Sequence, residues 1–163
     1  MTHPIFRQAV PADADRCFKI ETQAYEGDEA ATHAKIATRI GQYPEGFLVL
    51  ELDGEIAGFI NSGCAHEVVM SDESFKELIG HDPDAANVVI MSVVLDPAHQ
   101  GKGHAGKLMR QFVEHMRGMG KSTIHLMCKE QHIDLYKHFG YVYVQPSPSE
   151  HGGMAWHEMV MVL

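Results

Sequence analysis

The sequence has few cysteines and no long apolar run. Its three cysteines, Cys17, Cys64 and Cys128, are widely spaced and form no CxxC pair, which argues against a disulfide framework and against a thiolate zinc site. No stretch approaches the roughly 18 consecutive apolar residues that a membrane span needs, and no apolar segment follows a basic start. We therefore expect a cytoplasmic protein with no membrane association.

Basic residues are also scarce. The chain has 13 Lys and Arg against 22 Asp and Glu, which gives a formal net charge of -9 at pH 7. Nucleic-acid binding depends on the neutralisation of phosphates by basic side chains, so this composition disfavours a nucleic-acid partner. The twelve histidines include no HExxH motif and no H-x-H pair, and we predict no metal site.

The 163 residues fit a single domain over 1–163, in which strand and helix patterns alternate. Val88 to Leu95 is almost continuously apolar, as in a strand that is buried on both faces. Asp53-Gly54 suits a tight turn between two strands. The predicted elements are a strand at 5–10, a helix from 11 to 24, a helix at 30–40, strands at 47–52 and 55–60, a short helix at 71–79, a strand at 88–95, a helix at 104–117, a strand at 122–128, a helix at 131–139, and strands at 141–144 and 156–163.

This order of elements predicts an α/β fold. We expect a mixed central sheet of six to seven strands with helices on both faces. Its parallel portion must lie where strand 88–95 connects through helix 104–117 to strand 122–128. The long connection between 62 and 87 carries little regular pattern, which is often a sign of a functional segment.

The most informative motif is the glycine-rich turn His99-Gln-Gly-Lys-Gly-His-Ala-Gly-Lys107, between the buried strand and the amphipathic helix. Glycines let the backbone turn sharply and approach a ligand closely. The helix start offers unpaired N–H groups and a partial positive charge. This combination predicts a cradle for a phosphate or pyrophosphate.

Three anion-binding patterns compete for this turn. Gly101-x-Gly103-x-x-Gly106 matches the dinucleotide fingerprint, but five residues separate it from the end of its strand, and too little chain follows for a doubly wound domain. Gly101-x4-Gly106-Lys107 nearly matches the nucleotide P-loop, but Leu108 replaces the hydroxyl residue that would hold Mg²⁺. Context therefore disfavours both nucleotide-binding patterns.

The third pattern, Gln100-x-x-Gly103-x-Ala105 after a buried strand and Asp-Pro, resembles the signature of the GNAT superfamily of N-acetyltransferases. The run from Val10 to Asp13, the Asp53-Gly54 hairpin and Leu135-Tyr-Lys-His-Phe-Gly-Tyr141 are similar to that superfamily in order and spacing. The similarity covers nearly the whole chain. The stretch from Leu126 to Gly140 looks particularly like the arylalkylamine N-acetyltransferase branch.

The resemblance implies acetyl-CoA as cosubstrate. The turn would hold the CoA pyrophosphate, mainly through backbone amides, and pantetheine would add to the edge of strand 88–95 where that strand splays from its parallel neighbour. The same strand amides would bond the thioester carbonyl and its oxyanion. The implied cofactor-binding residues are Met91, Ser92, Val93, His99, Gln100, Gly101, Lys102, Gly103, His104 and Ala105.

Tyr136 is the catalytic residue that the resemblance implies, because the superfamily carries a tyrosine aimed at the CoA sulfur at this position. A thiolate leaving group gains from a proton or a hydrogen bond, and a phenol can supply either. The arylalkylamine branch has two histidines on the strand that enters the site, whereas Asn87 and Val89 stand here. This departure leaves the base open among His66, Glu67, His81 and Asp82.

The acceptor is expected to be the amine of a small molecule or a peptide. By analogy with relatives, residues 25–31 and the loop around His151 would wall its pocket. A non-catalytic acyl-CoA-binding or sensor domain is the alternative of a different class, and a nucleotide-binding protein is a further one. The expectation of a homodimer comes only from the resemblance to the superfamily.

Overall fold

The computed structural model describes residues 3–25, 30–148 and 155–163. The sequence assigned the walls of the acceptor pocket to residues 25–31 and to the loop around His151, and of these 26–29 and 149–154 lie outside the described residues. The helices and strands are β1 (Ile5–Gln8), α1 (Ala14–Ala24), α2 (His33–Gln42), β2 (Phe47–Leu52), β3 (Glu55–Ala65), β4 (Asn87–Leu95), α3 (His104–Gly118), β5 (Thr123–Cys128), α4 (Ile133–His138), β6 (Val142–Pro146) and β7 (His157–Val162).

The seven strands form one sheet in the order β1-β2-β3-β4-β5-β7-β6. The neighbours β4 and β5 are parallel, and the other neighbouring pairs are antiparallel. The crossover between β4 and β5 runs through α3, as the sequence predicted. The mixed α/β fold of a single GNAT-type sheet is therefore confirmed.

Helices cover both faces of this sheet. On one face Leu108 and Phe112 of α3 are fully buried against β4 and β5, as their i, i+4 spacing predicts. On the other face Ile20 of α1 and Ile36 of α2 are fully buried against Phe59 and its neighbours. The sheet is thus held between two apolar layers, and its central strand β4 contributes side chains to both.

The strand β3 is longer than the sequence predicted. We expected it to end at Ile60, but it continues to Ala65, and its last residues are buried. The polar pair Asn61-Ser62 interrupts the apolar pattern, yet each of these side chains finds a distant partner. Ser62 donates to the carbonyl of Gly46 at 2.9 Å, and Asn61 accepts from the guanidinium of Arg39. Tertiary hydrogen bonds therefore extend the strand through residues that sequence patterns assign to a loop.

Several element boundaries also differ from the prediction. The second helix begins at His33, and it runs through Gly41 rather than stopping before it, because an exposed glycine is tolerated in the last turn of a helix. The first strand is shorter, and the short helix expected at 71–79 is a 3-10 turn, Glu73–Glu77, capped by Asp72. In the described ranges, no helix is both long and apolar enough to cross a membrane.

Replacing Thr32 by alanine tests the start of α2. The Thr32 hydroxyl accepts a hydrogen bond from the backbone N–H of Lys35 at 3.2 Å. Loss of such a cap lowers the free energy of unfolding by about 1 kcal/mol, which urea denaturation can measure. Thr22→Ala is the control, because Thr22 lies inside α1 and its hydroxyl caps no helix start. Equal effects of the two substitutions would contradict the cap.

Candidate active site

The central strand β4 carries a bulge at Met91. In the pairing with β3, Ser92 lies opposite Asn61 and Ile90 lies opposite Ser62, so Met91 has no partner in this register. Side chains alternate between the two faces of a strand, and one extra residue shifts this alternation, so that side chains after the bulge face the opposite layer from the one they would otherwise face. Accordingly, Ile90 packs on the α3 side, whereas Val94 packs on the α1 and α2 side.

β4 leaves its parallel neighbour just before this bulge. Pairing with β5 covers only three positions and ends at Val89 opposite His125. The C-terminal half of β4 therefore has a free edge towards β5. At that edge the Tyr25 hydroxyl contacts both backbone groups of Val93, the carbonyl oxygen at 3.2 Å and the nitrogen at 3.4 Å.

The glycine-rich turn between β4 and α3 has the geometry that its sequence predicts. Gly101 and Gly103 have φ values of +76° and +81°, which only glycine adopts at little cost. Gln100 donates from Nε2 to the carbonyl of Leu95 at 3.2 Å and closes the turn against the end of β4. Gly103 is the N-cap of α3 and has no side chain to satisfy the first N–H groups of the helix.

Charged groups fix this turn and make its surroundings positive. Asp96 forms an ion pair with Arg16 of α1 at 2.6 Å. The N–H of Ala98 and the Arg16 guanidinium lower the pKa of Asp96.

Burial and the charges of Lys107, His99 and Lys102 lower the pKa of His104. The Nδ1 atom of His104 is buried and has no hydrogen-bond partner. The turn therefore offers unpaired donors beside a local excess of positive charge.

Three cavities meet around the open edge of β4. The helix cavity, of about 580 Å³ between α3 and α4, is lined by Gly101, Gly103, His104, Arg110 and Phe139 among others. The central cavity, of about 430 Å³, is lined by residues that include Val93, Gln100, Met127, Cys128, His132 and Tyr136. The small cavity, of about 70 Å³, is lined by Tyr25, Val69, Met70, Asp72, Phe75, Lys76, Val89, Ile90, Met91, Met127 and Trp156.

The three cavities are adjacent and share wall residues. Gly101 and Ala105, at the start of α3, line both the helix cavity and the central cavity. Tyr25, Met127 and Trp156 line both the central cavity and the small cavity. The edge of β4 at Val93 therefore lines the central cavity, which is adjacent to the helix cavity on one side and to the small cavity on the other.

Tyr136 lies on α4 and lines the central cavity. Its ring makes edge-to-face contacts with Phe139 and Tyr141, with centroids 6.0 and 5.8 Å apart. Burial raises the pKa of Tyr136 well above its usual value of 10, and neighbouring Tyr25 raises it further. The phenol is therefore protonated at neutral pH and can donate a proton or a hydrogen bond into the cavity.

Not every residue that the sequence singled out lines these cavities. Ser92 is buried on the opposite face of β4, where its hydroxyl accepts from Arg39. Lys102 is exposed at the turn, and the ring of His99 packs near that of His104, with centroids 6.3 Å apart. Neither side chain lines any of the three cavities described.

The four candidate bases lie elsewhere. The His66 imidazole and the Asp82 carboxylate form an exposed hydrogen bond, with Nε2 and Oδ2 2.7 Å apart. His81 accepts at Nδ1 from the N–H of Cys64, and its ring packs against Tyr43. Neither these three residues nor Glu67 lines the central or the small cavity. The structure gives none of the four access to the open edge of β4.

The sequence did not single out His132 or the contact between Tyr25 and Val93. His132 lines the central cavity, and burial together with the charge of Lys129 lowers its pKa, so its imidazole is neutral at pH 7. The only feature of the sequence that pointed to His132 was its position in the turn before α4, one helical turn from Tyr136. No local pattern predicts a contact between residues 68 positions apart. In the part of the chain that the structure describes, no cluster of three metal-ligating side chains occurs.

Solved structures with the same fold are numerous. The loading GNATL domain of CurA from Lyngbya majuscula superposes with a TM-score of 0.87 at 15% identity, covering 98% of both chains. YncA of Salmonella typhimurium, solved with acetyl-CoA, has a TM-score of 0.71 at 22% identity, covering 99% of this chain and 94% of that one. At these identities the likeness concerns the fold.

Sequence comparison identifies the family. A protein described as "Uncharacterized N-acetyltransferase ycf52", from Gracilaria tenuistipitata var. liui, is 33% identical over 73 residues. The match spans 45% of this chain and 38% of that relative. The sequence model described as "Acetyltransferase (GNAT) family" matches residues 12–141, which is most of the chain. The chain therefore belongs to the GNAT family of acetyltransferases.

Proposed function

We propose that this protein transfers the acetyl group of acetyl-CoA to a primary amine by direct attack of the amine on the thioester. One observation carries the proposal: the free edge of β4 at Val93 and the protonated phenol of Tyr136 face the same cavity. An edge amide can stabilise an oxyanion, and a phenol can protonate a thiolate. Both groups would accelerate acyl transfer from a thioester to an amine.

The glycine-rich turn fits the pyrophosphate of CoA. A Cβ atom added at Gly101 or at Gly103 would meet no heavy atom within 4 Å, so the surface beside the turn is open. The N–H groups at the start of α3 are available as donors, and the buried Nδ1 of His104 has no hydrogen-bond partner of its own. We assign phosphate contacts to residues 99–105, that is His99, Gln100, Gly101, Lys102, Gly103, His104 and Ala105. Acetyl-CoA bound there supplies the activated acetyl group.

The edge of β4 would hold the pantetheine and the thioester. Met91, Ser92 and Val93 form the stretch around the bulge, and after it the backbone of Val93 faces the central cavity. An N–H at this edge costs no reorganisation when negative charge develops on the thioester oxygen, because the sheet already fixes it. In this proposal the strand edge both aligns the acyl chain and stabilises the oxyanion.

The amine would approach through the small cavity. Its lining is mainly apolar and aromatic, and Lys76 and Asp72 are its charged members. Asp72 already accepts from the N–H of Ser74, and Lys76 pairs with Glu73 at 3.3 Å. These features favour an acceptor with an apolar chain. The amine attacks in its neutral form, and the neutral imidazole of His132 can take up its proton.

A matched pair of amines tests this proposal. We expect acetyl-CoA to release CoA thiol in the presence of butylamine, with kcat/KM roughly tenfold or more above that for 1,4-diaminobutane, because a second ammonium would lose hydration among apolar walls. The thiol is measured with a chromogenic disulfide, and N-acetylbutylamine by mass spectrometry. A preference for the diamine would contradict the assigned acceptor pocket.

Thiol release, CoA binding and thermal stabilisation together separate the two alternatives. Binding of CoA without thiol release for any amine would indicate an acyl-CoA-binding or sensor domain instead of an enzyme. Thermal stabilisation by NAD or ATP, but not by acetyl-CoA, would indicate a nucleotide-binding protein. Either result would overturn the proposed function.

A further inference from the structure

The hydroxyl of Tyr25 occupies the free edge of β4. It donates to the carbonyl oxygen of Val93 at 3.2 Å and accepts from the N–H of the same residue at 3.4 Å. Beyond Val89 no pairing with β5 satisfies these groups, so a tyrosine side chain takes the place of a strand partner. A single hydroxyl thus uses the donor and the acceptor that an added strand would need.

Tyr25 also lies at the junction of two cavities. It directly follows α1, where its own N–H bonds to the carbonyl of Glu21 at 3.0 Å. With Met127 and Trp156 it lines both the central cavity and the small cavity. Any displacement of its ring from Val93 therefore changes the wall between the two cavities.

We infer that Tyr25 is a positioning residue whose hydroxyl holds the place of the pantetheine on Val93 until an acyl-CoA displaces it. This inference rests on the proposed function, because it requires that CoA add to the edge of β4. Once displaced, the Tyr25 side chain no longer forms the same part of the wall between the small cavity and the central cavity, where the thioester carbonyl would lie. Binding of the acyl donor then changes the wall between the central cavity and the small cavity, because Tyr25 lines both.

The lengths of the two hydrogen bonds make this exchange favourable. The O–H···O contact of 3.2 Å is longer than the usual length of about 2.7–2.8 Å, the N–H···O contact of 3.4 Å is longer than the usual length of about 2.9–3.0 Å, and one hydroxyl shares both. An amide of pantetheine can satisfy a strand N–H or carbonyl with the alignment of a sheet. Tyr25 is therefore a weaker partner for Val93 than the ligand, but better than none, because buried backbone groups without partners are costly.

Tyr25→Phe tests the inference, because it removes the hydroxyl and keeps the ring. We compare the dissociation constants of CoA and of adenosine 3′,5′-bisphosphate, which lacks pantetheine, by titration calorimetry. Removal of one competing neutral hydrogen bond should tighten CoA binding about 2- to 12-fold and leave the nucleotide unchanged. Tyr143→Phe is the control, since its hydroxyl contacts His157 at 3.0 Å and it lines none of the three cavities.

The outcomes distinguish the role of Tyr25 from the proposed acetyltransferase function on which it rests. Unchanged or weaker CoA binding by the Tyr25→Phe protein, or an equal change for both ligands, would overturn the role of Tyr25 and leave the acetyltransferase proposal standing. Failure of the unsubstituted protein to bind CoA would overturn both. Tighter CoA binding with unchanged nucleotide binding supports the inference even before an acceptor amine is known.

Discussion

Replacing Tyr136 by phenylalanine is expected to lower kcat about 100-fold while changing the dissociation constant of CoA less than about twofold. The substitution keeps the ring that packs against Phe139 and Tyr141. It removes only the hydroxyl group, whose proton we assign to the departing thiolate. Single-turnover transfer from acetyl-CoA and titration of CoA measure the two quantities separately.

The pH dependence of this substitution sharpens the test. The pKa of Tyr136 is raised well above 10 by burial, so the phenol stays protonated as the pH increases through the neutral range. Both proteins should become faster with pH as the amine loses its proton, and the ratio of their rates should stay constant from about pH 7 to about pH 9.5. A ratio of rates that falls towards one within this range would show that Tyr136 is not the acid.

Tyr143→Phe is again the matched control, because it removes a phenol outside the three cavities. An equal loss of rate in both variants would point to a general effect on stability. A rate for Tyr136→Phe that equals the rate of the unsubstituted protein would contradict the assigned role directly. Thermal unfolding of each variant shows whether the fold is intact.

Local patterns were enough to predict most of the fold. The apolar run in β4, the i, i+3, i+4 spacing in α3 and the Asp53-Gly54 turn each depend on nearby residues only. Asp53 and Gly54 have φ values of +53° and +82°, as a type I′ turn requires. The glycine-rich turn could be predicted for the same reason, because its positive φ angles demand glycine whatever the rest of the chain does.

The parts that sequence missed depend on distant residues. The run from Val88 to Leu95 gives no sign of the bulge at Met91, because every position but Ser92 is apolar and either face could be buried. The bulge appears only when β3 sets the register. Likewise, β3 reaches Ala65 because Arg39 and Gly46 satisfy its polar residues, and Tyr25 contacts Val93 across the fold. Open edges and cavities arise from such contacts, so sequence could predict the chemistry of the site better than its shape.

Two glycines that flank α3 allow the effect of the glycine-rich turn on CoA binding to be separated from the effect of backbone strain. Gly103 and Gly120 stand at opposite ends of α3, and their φ values are +81° and +77°. At both positions an added Cβ would meet no heavy atom within 4 Å. Alanine at either position should therefore cost a similar 1–2 kcal/mol or so of stability through backbone strain alone.

Their effects on CoA binding should differ, because only Gly103 lines the helix cavity. A methyl group at Gly103 would stand where we place the pyrophosphate, and relaxation of the strained turn would tilt the first N–H groups of α3. Losing one hydrogen bond to a charged phosphate weakens binding roughly 10-fold to 150-fold. Gly120→Ala, about 22 Å away along the helix, should leave the dissociation constant unchanged. Equal affinities of the two variants for CoA would show that the phosphates bind elsewhere, whereas a loss confined to Gly103→Ala separates ligand contact from strain.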